Sequence, residues 1–63
     1  MIAPTKEEVY EARYASRLTQ KAAAALIGAT ERAWQEWEGG RRNMPAAKYK
    51  LFLILIADTR VDD

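Results

Sequence analysis

Apolar positions recur at helical spacing along most of this 63-residue chain, and polar capping residues precede the apolar segments. Thr5 followed by Glu8 is a capping-box pattern, which predicts a first helix over about residues 6–16. On its weak apolar face, Arg13 follows Val9 by four residues and therefore points inward, where it needs a partner.

Two shorter segments follow, each with a threonine cap and a glycine end. Thr19 predicts a helix over about residues 20–27, which Gly28 ends as a left-handed residue. Thr30 predicts a third helix over about residues 31–38, which Gly39-Gly40 ends.

The last segment is apolar nearly all round after Lys50. Pro45 predicts the first turn of a helix over about residues 46–57, with Asn43 or Met44 as cap. The run from Leu51 to Ile56 also fits a strand, although Pro45 and the two alanines after it favour a helix. A helix this apolar is expected to be buried on more than one side. The prediction is a single all-α, compact four-helix domain.

The segment from Leu18 to Arg42 is the most informative part of the chain. Two short helices joined by a glycine turn, over about residues 19–38, form a helix-turn-helix pattern, which makes double-stranded DNA the first partner to test. On the second of these helices, Ala33, Trp34 and Trp37 share one arc. The tryptophans are interpreted as core, and a stacking platform for single-stranded bases is the alternative.

The opposite arc is polar and free to face a major groove. It carries Arg32, Gln35 and Glu36, with Glu31 at its edge. Arg32 has the fork that matches guanine O6 and N7, whereas a glutamate can accept from cytosine N4. Glu36 also lies one turn after Arg32, so the two form either an orienting pair or a solvated ion pair with no role in DNA binding.

Polar residues on both flanks of this helix are candidates for phosphate contacts, and ordinary surface polarity is the alternative for each of them. The six candidates are Thr19, Gln20, Lys21, Arg41, Arg42 and Asn43.

The formal net charge of +1 hides an uneven distribution. Residues 13–50 contain eight Lys or Arg against three Glu, and the remaining acids gather at the two ends. A basic centre fits a phosphate backbone better than the total charge does, although ordinary surface charge produces similar patterns.

Composition and length exclude several function classes. The absence of cysteine and histidine removes disulfides, the usual zinc ligands and the commonest nucleophile and base, so no metal, no cofactor and no enzymatic activity are expected. The N-terminus has no signal-peptide pattern, and the apolar run from Leu51 to Ala57 is too short to span a membrane. A cytoplasmic protein without a membrane partner or a small-molecule ligand is therefore expected.

These residues together resemble the lambda-repressor-like (Xre/Cro-type) helix-turn-helix family, over residues 13 to about 52. The likeness rests on a set of short motifs: Arg13, Leu18-Thr19-Gln20, Ala24, Gly28, Trp37-Glu38 with Gly40, and Met44-Pro45. The stretch from Trp34 to Pro45 is most similar to short phage and mobile-element regulators, anti-CRISPR-associated repressors among them.

The resemblance implies roles for particular residues. It implies a buried ion pair between Arg13 and Glu38, and a DNA contact from Gln20. It also implies that bases are read at the start of the third helix, by Thr30, Glu31 and Arg32, and one turn later by Glu36.

The chain departs from the family pattern at three places. Arg17 stands where the family has glycine, and Trp34 replaces a small aliphatic residue, for which the alanine-rich second helix is expected to make room. Only residues 57–63 follow the fourth helix, where most members of the family have a fifth.

The sequence therefore predicts a homodimeric repressor that reads a palindromic operator. The apolar fourth helix is expected to pair two copies through Tyr49, Leu53 and Ile56. The alternative is a protein-binding module, such as an antitoxin-like or inhibitor subunit, that docks a partner on the same helix.

Overall fold

The computed structural model describes residues 2–59, and they form four α-helices without a strand in that range. Helix α1 spans Lys6–Ser16, α2 spans Gln20–Leu26, α3 spans Glu31–Gly39 and α4 spans Ala46–Thr59. The predicted all-α class is confirmed, and so is the helical alternative for residues 51–56. Asp62 and Asp63, part of the acidic C-terminal end, lie outside the described residues.

Threonine caps begin the first three helices, as the sequence predicts. Thr5 and Glu8 form the reciprocal capping box at the start of α1. The hydroxyls of Thr19 and Thr30 each accept a backbone N–H three residues on, at 3.0 Å. Each cap satisfies an N–H group that the first turn of a helix leaves without a partner.

Left-handed residues end the same three helices. Gly28 (φ 71°) follows α2 and Gly40 (φ 80°) follows α3, both in a conformation that glycine adopts without steric cost. Arg17 (φ 61°) does the same after α1, at the position where the resembled family has glycine. Two boundaries differ slightly from prediction, because α2 ends at Leu26 and α3 includes Gly39.

Helix α4 begins at Ala46, and the carbonyl of Pro45 accepts the N–H of Tyr49 at 3.0 Å. Pro45 thus occupies the capping position itself, one residue earlier than the predicted first turn, for which Asn43 or Met44 was the expected cap. The helix continues two residues beyond its predicted end, to Thr59. None of the helices in residues 2–59 has the length and hydropathy to cross a membrane.

The core is built around Trp34, which is fully buried in α3. Its ring lies edge-on to Trp37 at 5.7 Å between centroids and to Phe52 of α4 at 4.9 Å. Ala23 and Ala24 of α2 are also fully buried and belong to the same core cluster. The interpretation of both tryptophans as core is confirmed, which leaves them unavailable for stacking on bases.

Within residues 2–59, helix α4 buries only one side. Phe52 and Ile56 lie in the core, and Tyr49 packs against it. Leu51 and Ile54, on the opposite side, are 42% and 51% exposed. The packing of the described residues therefore does not meet the expectation that this helix is buried on more than one side.

Candidate nucleic-acid interface

The carboxylate of Glu38 fixes the relative positions of α1, α2 and α3. It accepts hydrogen bonds from Nε and Nη2 of Arg13 in α1, from Nε2 of Gln20 in α2 and from Nε1 of Trp34 in its own helix. A third N–H of Arg13, at Nη1, donates to the carbonyl of Leu18 at 2.9 Å. The inward direction inferred for Arg13 and its pairing with Glu38 are both seen in this geometry.

The electrostatics of this cluster favour the ion pair. Burial by itself would raise the pKa of Glu38, but hydrogen bonds from Arg13, Trp34 and Gln20 outweigh it and hold that pKa below its ordinary value. The hydrogen bonds to Glu38 likewise raise the pKa of Arg13 against the opposing effect of burial. Both side chains are therefore charged, and α3 is held against α1 and α2 by charge-assisted hydrogen bonds.

The polar arc of α3 lies on the outside of the bundle. Glu31, Arg32 and Gln35 are exposed, whereas Glu36 is only partly exposed. The Arg32 side chain is 85% exposed, compared with 20% for Glu36. Thr30, also expected to contact bases, is exposed at the N-cap, where its hydroxyl accepts the N–H of Ala33.

An open groove runs from this arc to the segment that follows α3. It is lined by Arg32, Gln35, Glu36, Gly39 and Arg41. All of its side chains are polar or charged, so it is suited to hydrogen-bonding partners rather than to an apolar ligand. The groove thus brings three of the predicted base-contacting residues together with one predicted phosphate-contacting residue.

The predicted phosphate contacts lie before and after α3 in the chain. Thr19 and Lys21 are exposed at the start of α2, and Arg41, Arg42 and Asn43 are exposed after α3. The hydroxyl of Thr19 already caps α2. Gln20 differs from the others, because it is half-buried and its amide donates to Glu38 at 3.0 Å.

Glu36 makes a contact that helical spacing alone does not indicate. Its Oε1 accepts a hydrogen bond from Nη1 of Arg42 at 3.0 Å, and its Oε2 lies 3.6 Å from Nε of Arg32. The hydrogen bond from Arg42 is the leading cause of a lowered pKa at Glu36, opposed by burial and helped by the charges of both arginines. Arg42 lies six residues later, beyond the turn at Gly40, so no periodicity rule links the two residues.

The residues expected to pair two copies divide between core and surface. Ile56 is 7% exposed within its own chain and Tyr49 packs against the same core, whereas Leu53 is 38% exposed. The apolar surface that α4 leaves uncovered consists of Leu51, Leu53 and Ile54, and we call it the α4 face. Ile56 is therefore corrected from a dimer contact to a core residue.

Sequence reasoning also left a pair of stacked tyrosines unassigned. Tyr10 and Tyr14 lie one turn apart on α1, with ring centroids 5.7 Å apart, and the guanidinium of Arg13 lies 5.5 Å from the Tyr10 centroid. Spacing of i and i+4 on a helix is the signal that could have identified them.

Comparison with models of known protein families and with curated protein sequences finds no match to the chain.

Proposed function

We propose that this chain is a sequence-specific regulator of the lambda-repressor-like helix-turn-helix class, which binds double-stranded DNA with α3 in the major groove. The observation that carries the proposal is the two-sided character of α3. Its tryptophans are buried, whereas Arg32 and Gln35 project outward on the opposite side. An α-helix with its side chains is about 10–12 Å across, which fits a major groove about 12 Å wide.

Exposed basic residues before and after α3 in the chain support the same proposal. Lys21 is exposed in the first turn of α2, and Arg41 and Arg42 are exposed in the segment that follows α3. Cations at these positions neutralise phosphates and fix the register of the helix, whereas the side chains on α3 read base edges. Arg32 has the guanidinium fork for guanine, and Gln35 has the amide that pairs with adenine N6 and N7.

The proposed active species is a homodimer that acts as a repressor. The α4 face leaves Leu51, Leu53 and Ile54 in water, and a second copy would cover them. A two-fold pair of recognition helices about 34 Å apart would read a palindromic operator.

Selection of bound sequences from a random duplex pool tests this function most directly. We expect enrichment of two inverted half-sites whose centres lie about one helical turn, or a multiple of it, apart. If the bound duplexes share no sequence, the protein binds only the phosphate backbone. If no duplex is bound at all, the proposal is refuted.

The exposed α4 face also favours a second candidate function, in which the chain is an antitoxin-like or inhibitor subunit that docks a partner protein. Both functions use the same apolar surface, but only the first uses the outward side of α3. Substitution of Arg32 and Gln35 together should abolish the first activity and leave the second intact.

A further inference from the structure

Glu36 joins two arginines that come from different parts of the chain. Arg32 lies one turn earlier on α3, whereas Arg42 lies in the connection between α3 and α4. One carboxylate oxygen contacts each guanidinium, Oε1 with Arg42 at 3.0 Å and Oε2 with Arg32 at 3.6 Å. The carboxylate therefore links the outward side of α3 to its basic flank.

The main chain of Glu36 holds the same connection. Its carbonyl accepts the N–H of Arg41 at 3.0 Å and the N–H of Arg42 at 3.3 Å. Arg42 is thus tied to Glu36 through both backbone and side chain, while Arg41 is tied through its backbone. The side-chain bond is what sets the direction of the Arg42 guanidinium.

Exposure differs sharply within this trio. The Glu36 side chain is 20% exposed, compared with 85% for Arg32 and 61% for Arg42. The carboxylate is the covered member, and the two guanidinium groups extend past it. A guanidinium has five N–H donors, so each arginine keeps donors for another partner.

We infer that Glu36 is a positioning residue for DNA recognition, which orients Arg32 toward base edges and Arg42 toward the flanking phosphates. This positioning role replaces the direct base contact that the sequence suggested for Glu36. Pairing with two cations also offsets the repulsion that a bare carboxylate would meet near phosphates. The inference rests on the proposed function, so its test includes a measurement that needs no DNA.

The first measurement uses the free protein and the variant Glu36→Gln, which keeps the shape of the side chain and removes its charge. We expect the NMR signals of the Nε–H group of Arg32 and of the Nη–H groups of Arg42 to shift. Glu7→Gln on α1 removes the same charge elsewhere and should leave both signals in place. Unchanged arginine signals in Glu36→Gln would overturn the inference whatever the protein binds.

The second measurement compares the selected DNA site with an unrelated duplex. Glu36→Gln should raise affinity for the unrelated duplex, because a negative charge is lost, and should lower the ratio of specific to nonspecific affinity about tenfold. The lost discrimination should fall at the base pair that Arg32→Ala also affects. Discrimination lost at a different base pair would identify Glu36 as a direct reader and overturn the inference.

A background that lacks both arginines separates action through them from an independent contact. In a chain with Arg32→Ala and Arg42→Ala, Glu36→Gln should cause no further loss of discrimination at low salt. A further loss would contradict the positioning role. If the unaltered protein selects no duplex, the proposed function fails and the inference with it, whereas normal selection with unchanged arginine signals overturns the inference alone.

Discussion

Glu38 of α3 accepts two hydrogen bonds from the guanidinium of Arg13 in α1, although 25 residues separate them in the chain. The same carboxylate accepts the amide of Gln20 and the indole N–H of Trp34. Hydrogen bonds to one side chain therefore join three helices that also share the hydrophobic core. The outward direction of Arg32 and Gln35 follows from it, because the opposite side of α3 is committed to the core.

Removal of the Glu38 carboxylate should be among the most destabilising single changes at the polar residues that border the core. Glu38→Ala leaves the Arg13 guanidinium and two N–H donors without their acceptor, and we expect a loss of about 3 kcal/mol in the free energy of unfolding. Urea denaturation followed by circular dichroism measures it. Glu7→Ala, at an exposed position of α1, is the matched control. If Glu38→Ala lowers the free energy of unfolding no more than the control does, the pair of Arg13 and Glu38 adds little to stability.

The same ion pair makes the free energy of unfolding depend on pH. The pKa of Glu38 is lowered in the folded protein, so the unfolded chain binds a proton more readily there. The contribution of Glu38 is therefore present above the unfolded pKa of about 4.3 and is lost as pH falls through the folded value. Thermal unfolding between pH 7 and pH 3 should show a steeper decline for the unaltered protein than for Glu38→Gln. If the unfolding temperatures of the two proteins decline in parallel with pH, the Glu38 charge is not the source of this pH dependence.

Arg17 holds a left-handed conformation that costs an L-residue with a side chain about 1 kcal/mol or more. Arg17→Gly should therefore raise the free energy of unfolding by about 0.5–1 kcal/mol, since the relief of strain exceeds the added chain entropy. Chemical denaturation measures the gain. Loss of stability in Arg17→Gly would mean that the arginine side chain makes a stabilising contact larger than the backbone strain.

Gly28→Ala is the converse control for this backbone effect. Gly28 has φ of 71°, and a Cβ there would meet nothing within 4 Å, so only the backbone conformation opposes the substitution. We expect a loss of about 1 kcal/mol.

The sequence indicated the helices well because their ends have local causes. Thr5, Thr19 and Thr30 accept backbone N–H groups within three residues, and Gly28 needs only its own φ. Such signals can be read without knowledge of the tertiary structure.

Contacts between distant segments were harder to predict. The pattern of α4 is apolar nearly all round, so periodicity could not decide that Ile56 faces the core while Ile54 faces water. The link from Glu36 to Arg42 crosses the turn at Gly40, where helical spacing no longer applies. The amide of Gln20 was expected at a phosphate, and its bond to Glu38 arises from the packing of α2 on α3.

Two isoleucines two residues apart on α4 should respond in opposite ways to substitution. Ile54→Glu puts a charge on the exposed α4 face, so it should abolish dimer formation and leave the monomer folded. Ile56→Val removes a methylene from the core, so it should cost about 0.5–1.5 kcal/mol of stability and leave association unchanged. Sedimentation across micromolar concentrations, together with thermal unfolding, measures both. A monomeric unaltered protein at high micromolar concentration would refute the dimer.

Arg32 and Arg41 line the same groove, yet their substitutions should alter DNA binding in different ways. Arg32→Ala removes a guanidinium on the outward side of α3, and we expect about 1–3 kcal/mol of lost discrimination at one base pair. Arg41→Ala removes a cation next to α3, so binding should weaken uniformly across sequences. The slope of the logarithm of affinity against the logarithm of salt concentration should become shallower by about one. Titrations of matched and single-mismatch duplexes at several salt concentrations separate the two effects. Equal loss on every duplex for Arg32→Ala would assign that side chain to phosphate, and base reading would then fall to Gln35 and its neighbours on α3.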